Sequence, residues 1–91
     1  MDKKLFFYGV LVRINNQWIV KFGQTLQFTR EEAIQYAINE TAGKLKAVLS
    51  SNDVIFCNTD FVSFLFEILK KIKLKNIKLV THWSDLPITE D

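Results

Sequence analysis

Residues Asp53 to Leu69 read DVIFCNTDFVSFLFEIL. Val54 to Cys57 form a short apolar run rich in β-branched and aromatic side chains, the signature of a buried strand. From Asp60 the pattern changes to helical spacing: Phe61, Val62, Phe64, Leu65, Ile68, Leu69 and Ile72 share a wide apolar arc, with Ser63, Glu67, Lys70 and Lys71 opposite and Phe66 at its edge. The helix is predicted over 60–73, with Phe61, Leu65 and Ile68 packed on the sheet against Val10, Val12 or their neighbours. Ile77 to His82 then reads as a further strand. A strand–helix–strand unit of this kind predicts a right-handed crossover joining two adjacent parallel strands.

Upstream, Leu5 to Ile14 is almost continuously apolar, as expected for a central strand covered on both faces. Asn15-Asn16 can adopt the positive φ values of a two-residue hairpin turn. Trp18, Val20 and Phe22 then alternate with Gln17, Ile19 and Lys21, a pattern that predicts a half-buried strand. In TREE, Thr29 and Glu32 form a capping box. The stripe that follows, from Ile34 through Leu45 to Val48 and Leu49, predicts a helix to about Ser50, either continuous or broken at Gly43.

The order is therefore ββαβαβ, an α/β (α+β) single domain. Placing the most apolar strand inside predicts a mixed four-stranded sheet of order 2-1-3-4 with two packed helices. The compact domain is expected over 1–83, with 84–91 an acidic, flexible C-terminal tail.

The 91 residues, 48% hydrophobic and rich in phenylalanine, suit one modest core. A net charge of +2 argues against a strongly electrostatic partner such as duplex DNA. The single Cys57 excludes an intrachain disulfide and fits a reducing compartment, so cytoplasm is the expected location. The basic, apolar N-terminus lacks a small-residue cleavage site, and no apolar run approaches the roughly 18 residues of a spanning helix, so no membrane role is expected.

The strand ending in Thr59-Asp60 and entering a helix, within this order of elements, resembles part of the ribonuclease H-like fold. That resemblance would place Asp60 at one metal-binding aspartate and implies magnesium-dependent nucleic-acid hydrolysis. The chemistry needs several carboxylates around the metal ions. Here the first strand carries no acid, and Ile34 and Ile38 occupy the helical stripe where a glutamate would have to face the sheet. Asp60 is the lone candidate ligand, and its competing role is to begin the helix, where an acid favours the helix dipole. His82 is the only histidine, and Gly9, Gly23 and Gly43 are too scattered for a phosphate loop. No catalytic residue and no cofactor is expected.

The charge cluster KKIKLKNIK supplies Lys70, Lys71, Lys73, Lys75 and Lys78. With the flanking aromatics Phe66 and Trp83 it is the expected partner-binding surface. The leading expectation is a small non-enzymatic interaction module that binds, and inhibits, a larger protein or nucleoprotein complex. Composition rich in Lys, Asn, Ile and Phe is also that of AT-rich coding, common in phage and mobile-element accessory proteins. The alternatives are a single-stranded nucleic-acid binder using the lysine edge and, behind it, a metal-dependent nuclease. An edge strand also leaves homodimer formation open.

Overall fold

The computed structural model describes residues 2–74 and 76–85, with the side chains at 71–74 and 85 outside the description. The elements follow the expected order: β1 (Lys4–Ile14), β2 (Gln17–Gln27), α1 (Arg30–Leu45), β3 (Val54–Asn58), α2 (Phe61–Leu74) and β4 (Ile77–Val80), with 3-10 turns at Ser51–Asp53 and Trp83–Asp85. They build one four-stranded mixed sheet and two helices, the predicted class. The expected tail, residues 84–91, lies mostly outside the described residues.

The β1–β2 hairpin closes on Asn15 and Asn16, both at positive φ, with Ile14 paired to Gln17. This is the primed two-residue turn whose twist matches the flanking strands.

The strand order is β3-β1-β2-β4, which corrects the expected 2-1-3-4. β3 pairs antiparallel with β1, and β4 pairs parallel with β2. The two strands joined by α2 are therefore the two edges, with the whole hairpin between them. β2 is consequently a central strand with both faces covered rather than half-buried: Ile19, Val20 and Lys21 are all buried. Alternation could not show this, because whether a strand is central depends on which neighbours it finds.

The helices occupy opposite faces. On one face, Phe6, Tyr8, Val10 and Val12 of β1 join Ile19, Cys57 and Val80 beneath Ala33 and Ala37 of α1. On the other, Val20 and Phe56 pack under Phe64 and Ile68 of α2, with Phe7, Leu11 and Phe22 at the margin. Of the expected packing on Val10, Val12 or their neighbours, the Val10 and Val12 part is overturned, since both belong to the α1 face, while the neighbouring Leu11 lies on the α2 face with Ile68. Phe61 and Leu65 are 50% and 42% exposed. Successive residues of a strand point to opposite faces, so a helix can bury only one parity of β1. A register shift between Gly9 and Val10 marks a bulge in β3, and it lets both Ile55 and Phe56 face α2.

α1 starts as expected, with the Thr29 hydroxyl accepting from the Glu32 amide. It runs unbroken through Gly43 and stops at Leu45, short of the predicted Ser50. Lys46 takes the left-handed conformation, and the Ala47 amide closes back onto the Ala42 carbonyl at 3.2 Å. Val48, counted on the helical stripe, is fully exposed.

Candidate functional site

Asp60 is occupied with starting α2. One carboxylate oxygen accepts from the Val62 amide at 3.0 Å, and the other accepts from the Ser63 hydroxyl at 3.0 Å. These bonds, the Ser63 hydroxyl foremost, hold the exposed carboxyl below its ordinary range. Because the folded-state value is depressed, the stability Asp60 contributes is present above the ordinary carboxylate range and fades as pH falls through the lowered value. Asp60→Ala is expected to lower the melting temperature by a few degrees at neutral pH, and Asp60→Asn by less, because an amide oxygen still caps. Equal losses would show that charge, not the cap, is what counts. Among the described residues, no group of three or more His, Cys, Asp and Glu side chains gathers around a point.

The expected partner surface divides between two faces of the molecule. Phe66 is 61% exposed on α2, and Lys70 lies one turn further along the same helix, also exposed. Lys71 and Lys73 sit in the last turns of α2. Lys75 lies outside the described residues. Lys78 pairs with Ile19 and so shares the α1 face of the sheet. Trp83 is on that face too, half-buried against its core. The sheet therefore separates Lys78 and Trp83 from Phe66 and Lys70.

Trp83 is held by Lys21, whose ammonium lies 4.5 Å from the ring centroid while donating to the Phe22 carbonyl. Burial lowers the Lys21 pKa, and Glu40 works in the opposite direction. Beside them Tyr8 is buried, its ring edge-on to Tyr36 at 6.3 Å. A side chain at position 23 would collide with the Tyr8 ring, so Gly23 leaves it the room it needs. Burial, reinforced by Tyr36 and Glu40, pushes the Tyr8 hydroxyl up to about 12. A raised folded-state value means that the stability linked to this proton is complete below pH 10 and is lost as pH rises toward 12. Tyr8→Phe should remove that alkaline component from urea midpoints measured between pH 9 and 12. An unchanged alkaline slope would assign it elsewhere.

An open apolar surface lies on the α2 face. α2 packs most extensively on β3 and less on β1 and β4, and the sheet face beside it stays open toward the ends of β2 and β4. A groove of about 830 Å³ results, floored by Phe7, Phe22 and Leu79 and walled by Phe61, Leu65 and Leu69 of α2. Gln24, Thr81 and His82 line it where β4 ends. Among the described residues, no acidic or basic side chain other than His82 lines it. Val62 and Phe66 continue the exposed apolar flank outward from the groove wall, at 58% and 61% exposure. Sequence reasoning missed Phe22, Leu79 and His82 as neighbours, because only the β2–β4 pairing brings them beside α2. The signal available was the width of the α2 arc, which exceeds what one sheet face can cover.

No family model, curated protein or solved structure matches this chain. No described helix is long and apolar enough to cross a membrane.

Proposed function

We propose that this chain is a small non-enzymatic interaction module that binds a larger protein through the α2 groove and the apolar flank beside it. The observation that supports this reading is the exposure of Phe61, Val62, Leu65, Phe66 and Leu69 on one helix, each 42–61% accessible. Monomeric soluble proteins rarely leave a contiguous patch of this kind uncovered, and rigid aromatic and aliphatic anchors dominate protein interfaces.

The test is affinity capture from the native host with nuclease-treated lysate, comparing the parent chain with Leu69→Asp. Leu69 is 54% exposed, so the substitution should change stability little. It places a charge on the groove wall, and partner capture should fall at least about tenfold, the scale of a hot-spot residue. If the partner binds Leu69→Asp as tightly as the parent, or if binding vanishes on nuclease treatment alone, this reading is wrong.

A further inference from the structure

We infer that the Trp83 ring and the Lys21 ammonium form a clasp that holds β4 on the sheet, and that β4 with the turn after it opens as a unit while β1, β2 and β3 stay folded. The clasp lies on the α1 face, and it stands whether or not the groove binds a partner.

β4 is weakly attached by its own residues. It is four residues long, lies at an edge and pairs with β2 alone, in parallel. Of its side chains only Val80 is fully buried, at 2% exposure, whereas Lys78 is exposed, Leu79 is 40% exposed and Ile77 is half-buried. Segments with few buried apolar side chains open locally, at a lower free energy than global unfolding. The rest of the sheet is better tied. The hairpin pairs along its whole length from Lys4 with Gln27 to Ile14 with Gln17, and β3 buries Cys57 on the α1 face and Phe56 on the α2 face.

Trp83 supplies the hold that β4 lacks. Three residues beyond Val80, its indole lies half-buried against the α1-face core to which Val80 belongs. Lys21 is the residue that pairs with Val80, so the contact closes at the last rung of β4. The Lys21 ammonium lies 4.5 Å from the ring centroid and donates to the Phe22 carbonyl. At 5% exposure a lysine on a central strand needs partners for its charge. The ring face and the carbonyl serve as those partners, and Glu40 of α1 favours the charged form from across the face. The dependence therefore runs both ways: without the ring the ammonium loses a partner, and without the ammonium the ring loses its electrostatic hold.

Opening reaches the opposite face as well. Leu79, Thr81 and His82 line the groove beside α2, so the clasp keeps part of that lining in place from the other side of the sheet. Departure of β4 would also bare the backbone of β2 from Trp18 to Lys21, an edge able to take another strand.

Native-state hydrogen exchange of the full chain at neutral pH tests the clasp in Trp83→Leu, Lys21→Met and the double variant. Leucine keeps apolar bulk without a π face, and methionine keeps the stem without the charge. The amides of β4 are expected to exchange at least about tenfold faster in Trp83→Leu, and faster by a smaller factor in Lys21→Met, while amides in the β1–β3 pairing from Phe7 to Gly9 keep the parent's rates. The double variant should be no faster than Trp83→Leu alone, because both changes break one contact. Equal acceleration at Phe7 to Gly9, or loss of the whole fold in Trp83→Leu, would show that β4 does not open alone and would overturn the inference. Unchanged rates in β4, or effects that multiply in the double variant, would overturn it by showing that ring and ammonium do not act together.

Discussion

Phe64→Ala is expected to destabilise the fold by about 3–5 kcal/mol, the range for deleting a buried phenylalanine, whereas Leu65→Ala, one residue on, should cost no more than about 1 kcal/mol because much of that side chain is already in water. Phe64 is 6% exposed and Leu65 is 42% exposed. Phe64 is also the hub of the aromatic cluster. Its ring centroid lies 5.0 Å from Phe56, 5.5 Å from Phe7, 5.7 Å from Phe22 and 5.9 Å from Phe61. Removing it withdraws a partner from four rings at once, and edge-to-face pairs contribute beyond their buried area. The surrounding rings belong to β1, β2, β3 and α2, so collapse into the void would have to move several elements together. Chemical denaturation of the two variants provides the comparison. Equal losses would mean that α2 is rotated about its axis from the docking described.

That contrast also marks how far the chain could be read unaided. The strand-to-helix transition at Asp60, the Asn15-Asn16 hairpin and the Thr29 cap are local chemistry, and each stands where the residues place it. The orientation of α2 was not local. Its apolar arc is so wide that Phe61, Leu65 and Ile68 fit a packed face as well as Phe64 and Ile68 do, and only contact with the sheet distinguishes them. The arc is wide because one part covers Phe56 and Val20 while another forms the groove wall.

Strand order failed for a related reason. Local reading favours joining β3 and β4 as neighbours through α2. The hairpin instead lies between them, because β1 and β2 each have two apolar faces, and the centre of the sheet, flanked by strands and covered by a helix on each side, is where both faces are buried. Lys21 concealed this. A lysine in an alternating strand reads as facing solvent, yet its stem is buried under Trp83 and its ammonium stays on the ring and a carbonyl. The pairing of Phe66 with Trp83 as one recognition corner followed from the expected order and separates with it.

Gly9→Ala should cost about 1–3 kcal/mol, the range for overpacking a filled core, even though alanine is favoured over glycine in a strand by roughly 0.5–1 kcal/mol. Gly9 has ordinary strand geometry, so its backbone conformation is not the reason. A Cβ there would stand 2.3 Å from the Phe56 ring and 3.0 Å from a methyl of Val20. Neither neighbour can yield easily: Phe56 is 3% exposed and stacked 5.8 Å from Phe22, and Val20 is 1% exposed. The substitution would have to push β3 outward at its bulge or tilt the ring into Phe64. Pairing it with Phe56→Leu isolates the collision. Phe56→Leu alone should destabilise, but with Gly9→Ala the combined loss should be smaller than the sum, by on the order of 1 kcal/mol, because residues in contact couple. Strict additivity in that cycle would show that the cost at Gly9 arises somewhere other than beneath Phe56.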